Sequence, residues 1–120
     1  MKVGVVGSRT FNDYGKLKNI LDSLEGVELV VSGGARGADS MGERWAKEKG
    51  IPTKIFLPDW NKFGKRAGFI RNEDIVRECD TLVAFWDGES HGTLNSINHA
   101  KRMEKRLIIE RFVPKEYTDG

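Results

Sequence analysis

Short apolar runs rich in β-branched residues alternate along this chain with stretches of helical period, and few architectures accept that alternation. Residues 3–6 are such a run, followed by Gly7, Ser8 and Arg9. Residues 13–24 carry Leu17, Ile20, Leu21 and Leu24 at spacings of three or four, which is one face of a helix, and Gly26 ends it. Strands are predicted over 29–31 and 53–57. Between them lies a helix with Ala38, Met41 and Trp45 on one side and Gly50 as its C-terminal stop. After a polar and aromatic loop over 58–68, the pattern predicts a helix over 69–79 and a strand over 81–86. A loop over 87–92, a helix over 93–104 and a strand over 107–112 follow.

The order β-α-β-α-β-α-β-α-β predicts an α/β fold with a parallel sheet covered by helices on both faces. Strands that read as continuous apolar runs fit burial on both sides. Right-handed crossovers with one reversal give the strand order 3-2-1-4-5. No repeat or low-complexity segment interrupts the pattern. Residues 1–113 read as one domain and 114–120 as a polar tail.

Composition narrows the function classes. With 20 Lys and Arg against 18 Asp and Glu, the net charge of +2 does not favour nucleic acid as a partner. The single cysteine, Cys79, allows neither a disulfide framework nor a cysteine metal cluster. No apolar run reaches membrane length and no signal peptide precedes the first strand, so the expectation is a cytoplasmic protein.

In open parallel sheets the ligand crevice lies at the carboxyl ends of the strands, where their order reverses. Here that point falls between the first and fourth strands. It gathers the loop Gly7-Ser8-Arg9 and the loop Asp87-Gly88-Glu89-Ser90-His91-Gly92-Thr93. The glycine-rich segment Ser32, Gly33, Gly34, Arg36 and Gly37 is next door. Its bare N–H groups, just before a helix, make a ready anion site, and Gly92-Thr93 makes a second. With Arg9 and Arg36 they suit a phosphate-bearing ligand. The segment is neither a P-loop nor the dinucleotide fingerprint. Tight turns are the alternative reason for its glycines.

Other residues add to this edge. Asn72 shares a helix side with Ile75 and Val76, so its amide faces the sheet and either ties down a loop or meets a ligand, with Arg71 beside it. Asp39 would brace the glycine loop or bond a ribose hydroxyl. Trp60 and Phe63, interleaved with Lys62, Lys65 and Arg66, form either a stacking surface for a base or a cover loop folded inward. No His, Cys and carboxylate spacing suggests a metal site. No cofactor is called for, although loop oxygens could hold Mg²⁺ together with a ligand phosphate.

The segments "VGSRTF", "VVSGGARGADSMGERWA", "RAGFIRNEDIV" and "LVAFWDGESHGTLNSI" together resemble the SLOG superfamily, in its small YspA-like subgroup. The resemblance spans most of the chain and implies a Rossmann-like three-layer sandwich that binds a nucleotide or nucleotide-derived ligand. Relatives are often dimers, which implies a homo-oligomer. The loop Ser32, Gly33, Ala35, Arg36, Gly37, Asp39 is similar to one in the DNA-processing protein DprA. The region of Gly92-Thr93 partly resembles that of LOG phosphoribohydrolases, but Ser96 stands where their motif glutamate would be. Binding or sensing of a nucleotide is therefore the first expectation. The alternatives are a LOG-like N-glycosidase using Asp87, Glu89 or Glu73 in place of that carboxylate, and DprA-like binding of single-stranded DNA.

Overall fold

A computed structural model describes residues 1–114. The last six residues of the expected polar tail lie outside them, and Pro114 is buried. Five parallel strands form one sheet in the order β3-β2-β1-β4-β5: β1 Lys2–Gly7, β2 Leu29–Ser32, β3 Thr53–Ile55, β4 Thr81–Trp86 and β5 Arg106–Arg111. The expected order is the observed one. β1 and β4 run side by side from Val3 opposite Thr81 to Gly7 opposite Phe85, and the order reverses between them.

Helices α1 (Tyr14–Asp22) and α2 (Ala38–Lys49) cover one face, and α4 (Ala67–Glu78) and α5 (His91–Arg102) the other. Alternate residues of β1 enter the two cores. Val3 and Val5 pack with Leu17, Leu21 and Phe85. Val6 packs with Ile75, Leu82 and Ile97. Burial of this kind contributes about 2 kcal/mol for each large aliphatic side chain. Local chemistry sets the helix ends. The Asp13 carboxylate accepts from the Lys16 N–H at 3.1 Å to start α1. Gly50 closes α2 in the left-handed conformation at φ 70°.

Besides β3, which ends at Ile55 rather than at 57, the segment 58–68 and the start of the last helix differ from the sequence reading. The stretch 58–68 is not a plain loop: Asp59 caps a short helix α3 (Trp60–Phe63), and a 3₁₀ turn over Gly64–Arg66 leads into α4. The last helix starts at His91 rather than Thr93. Its cap is Ser90, whose hydroxyl accepts from the Thr93 N–H at 3.4 Å.

Candidate functional site

The carboxyl ends of β1 and β4 open into a polar cavity of about 380 Å³. Gly7, Ser8, Arg9 and Thr10 come to it from β1, Ala35 and Asp39 from the glycine loop and α2. Arg71 and Asn72 of α4 form one wall. Asp87, Ser90, Gly92, Thr93 and Ser96 form the other. A second cavity of about 400 Å³ adjoins it, sharing Arg9, Ala35, Arg71, Asn72 and Gly92. Gly33 and Gly34 border this second space, with Leu57, Trp60, Lys65 and Phe69.

The glycine loop is occupied by its own protein. The Asp39 carboxylate accepts from the N–H groups of Gly33 at 3.0 Å and Ala35 at 3.4 Å, and the Gly34 N–H donates to the Ser32 hydroxyl at 3.4 Å. A Cβ on Gly33 would lie 2.6 Å from the Arg71 guanidinium, and one on Gly37 would lie 2.5 Å from the Ser8 carbonyl oxygen. Gly37 also sits at φ 80°, ψ −128°, a conformation that L side chains avoid. The side chains are absent here because other protein atoms press on the backbone. The N–H groups expected to be bare at 33–35 are taken.

Arg71 and Asn72 hold the walls together. Arg71 donates to the Gly33 carbonyl at 2.6 Å and to the Asn72 amide oxygen at 3.0 Å. The Asn72 amide nitrogen donates to the Gly92 carbonyl at 3.2 Å and to Asn95 at 3.3 Å. One residue pair thus ties the glycine loop, α4 and the first turn of α5. Burial lowers the pKa of Arg71, Asp39 attracts its proton back, and the Arg9 charge repels it. None of the ion pairs among the described residues engages Arg9. The cleft therefore holds two cations close enough to repel, neither of them in an ion pair; Arg71 is held by neutral oxygens of the protein, and Arg9 is not.

The α5 side is arranged differently. The Asp87 carboxylate accepts from the N–H groups of Glu89 at 2.9 Å and Ser90 at 2.8 Å, which aims Ser90 at its capping position. The Ser8 hydroxyl accepts from the Asp87 N–H at 3.3 Å. Burial pushes the Asp87 carboxyl up, but the N–H groups of Ser90 and Glu89 and the Ser8 hydroxyl outweigh it and hold the group below the ordinary range. Thr93 and Ser90 join their hydroxyls at 3.1 Å. The next N–H groups, of His91 and Gly92, belong to the helix turn that has no intrahelical acceptor. A Cβ on Gly92 would meet nothing within 4 Å, so packing does not require this glycine.

Other residues expected at the site line neither cavity. Ser32 is buried and its hydroxyl donates to Glu43 at 2.5 Å. Arg36 and His91 are exposed. Gly88, at φ 87°, is backed by Arg111. Glu73 pairs with Arg77 at 2.7 Å, and Glu89 borders a separate space beside Arg111. Of the three carboxylates considered for catalysis, Asp87 alone faces the polar cavity. Cys79 is buried, and desolvation pushes its thiol up to about 11, far from a thiolate nucleophile. Among the described residues no group of three or more His, Cys, Asp or Glu could hold a metal ion, and no helix is long and apolar enough to cross a membrane.

Leu57 and Phe69 were not legible as site residues. Leu57 reads as the end of a strand, but β3 stops at Ile55 and leaves Leu57 71% exposed. Phe69 reads as an ordinary helix start. Their signal was position: both flank the aromatic segment that carries Trp60.

A five-stranded parallel sheet of this order, with a polar cleft at its reversal, defines a Rossmann-like α/β domain. The model of the YspA, cpYpsA-related SLOG family matches residues 1–63, which is more than half the chain. The chain belongs to that family. It is also 35% identical over 111 residues to the Gene 61 protein of Mycobacterium phage D29, covering 84% of this chain and 89% of that protein. No solved structure matches. Membership of the family fits a nucleotide-related function.

Proposed function

We propose that this domain binds a nucleotide or nucleotide-derived ligand in the polar cleft, with the phosphate at the first turn of α5 and at Arg9. The observation that carries this is Gly92. It has no packing reason to be glycine, it lines the cleft at the second position of a helix, in the turn whose N–H groups lack intrahelical acceptors, and the unpaired Arg9 borders the same space. Helix N-termini and free cations favour anions there. Asn72 and Asp87, fixed by their hydrogen bonds, would border the sugar. Phosphate cradling thus moves from the 33–37 loop to the 90–93 turn, while Asp39 and Arg71 keep the cleft open.

A second reading, N-glycosidic cleavage, is favoured by Asp87. A carboxylate held ionised on the cleft wall suits an oxocarbenium-like centre. Titration calorimetry with nucleoside monophosphates, nucleoside diphosphates and ADP-ribose tests binding. Chromatography of the same mixtures for free base tests cleavage. Binding that is lost in Arg9→Ala with no base released supports the first reading. Base release abolished by Asp87→Asn supports the second. An unbound panel refutes both.

A further inference from the structure

The second cavity differs in chemistry from the polar one. Leu57, Trp60 and Phe69 line it at 71%, 56% and 47% exposure, a concentration of uncovered apolar side chains unusual for so small a surface. Its charged residues are Arg9, Lys65 and Arg71, all cationic, whereas Asp39 and Asp87 border the polar cavity and not this one. Gly68 is the second residue of α4, as Gly92 is of α5, and both border this space. Neither needs a positive φ, and a Cβ on Gly68 would make only ordinary contact, 3.7 Å from the Trp60 ring. Glycine at a helical position lowers stability relative to alanine, so two such residues facing one cavity point to something that must lie close to both backbones.

Resting on the nucleotide reading above, we infer that this cavity is a base-stacking subsite. The ligand is a nucleoside phosphate whose ring lies between Trp60, Phe69 and Leu57 while its phosphate sits at Arg9 and the start of α5. Each cavity alone lies near the lower end of the roughly 300–1,000 Å³ range of small-molecule sites. The five shared residues make one continuous seat for a two-part ligand. Aromatic rings beside cations are the combination that binds bases through stacking and phosphates through charge. The segment 60–69 therefore selects ligands that carry a base over sugar phosphates that do not.

The test compares adenosine, guanosine, cytidine and uridine monophosphates with ribose 5-phosphate, read by tryptophan fluorescence and calorimetry. Trp45 is buried and Trp86 is half-buried with its indole N–H held by the Ser90 carbonyl, so the part of the quenching that is lost in Trp60→Phe is the part that reports a base stacked on Trp60. The expected result is that at least one nucleotide binds about tenfold or more tighter than ribose 5-phosphate and quenches the fluorescence. Trp60→Ala and Phe69→Ala remove that advantage, while ribose 5-phosphate affinity stays within about twofold. Trp60→Phe keeps the affinity. Equal affinity for nucleotide and ribose 5-phosphate, unaffected by Trp60→Ala, overturns the subsite and leaves the polar cleft standing. Failure of every phosphate compound to bind overturns both. If Trp60→Ala instead dissociates a dimer without altering ligand preference, the apolar surface is an interface and the subsite is overturned.

Discussion

Replacing Asp39 with asparagine should remove a pH dependence from the stability of this domain. Burial pushes the Asp39 carboxyl from an ordinary 3.8 up to about 6, against the pull of the Ala35 and Gly33 N–H groups and of Arg71. A group whose pKa is raised on folding holds its proton more tightly in the folded state. Its contribution is full below the unfolded value and is lost as pH rises through the folded one. A gap of roughly two units corresponds to about 3 kcal/mol, lost between about pH 4 and pH 6. Asparagine stays neutral throughout, and its amide oxygen can accept from the same two N–H groups. Asp22, Glu48, Glu78 and Asp87 are held below their ordinary values and act in the opposite sense, but both proteins share them. The difference between the two stability curves therefore isolates Asp39. Urea unfolding of wild type and Asp39→Asn at intervals from pH 4 to pH 7 should show wild type losing about 3 kcal/mol relative to the variant. A flat difference, or one that rises with pH, would mean that Arg71 and the loop amides hold the anion at least as strongly as burial opposes it, and would refute the reasoning.

Gly37→Ala should cost about 2 kcal/mol or more in urea unfolding, because φ 80° and the Ser8 carbonyl both oppose a side chain. Gly26→Ala, at φ 72° with open space around it, should cost only about 1 kcal/mol; equal losses would contradict the steric account of Gly37. Gly92→Ala should raise stability by about 0.5 kcal/mol and still weaken nucleotide binding in calorimetry, since it adds a methyl to a residue that lines the cleft. A variant that binds unchanged would remove the main support for the phosphate seat. Asn72→Ala should destabilise by about 2 kcal/mol by stranding its partners, with amide hydrogen exchange accelerated at the start of α5. Protection there equal to wild type would show that Asn72 does not anchor this turn.

The fold was legible because its rules are local or topological. Leu17 and Leu21 mark the buried face of α1, and right-handed crossovers with one reversal order the strands as observed. The place of the cleft followed from that order. Its inner wiring did not. Glycine reports that something approaches the backbone, not what, and the Gly33–Arg71 contact joins residues 38 positions apart. Ser90 was read as loop because its capping role depends on Asp87 turning the chain back on itself. The aromatic annex was half legible. Trp60 and Lys65 line it as the composition of 58–68 suggested, whereas Phe63, Lys62 and Arg66 do not border it and Leu57 and Phe69 do. Which side chains of an irregular segment face inward is set by where the short helix α3 places them, and no period encodes that.

The most direct measurement is the change in backbone amide ¹H–¹⁵N resonances as a nucleoside monophosphate is titrated into the labelled protein. The account predicts the largest shifts at His91, Gly92 and Thr93, with further shifts at Arg9 and along 60–69. No saturable shift, or shifts confined to residues away from the β1–β4 edge, would contradict it.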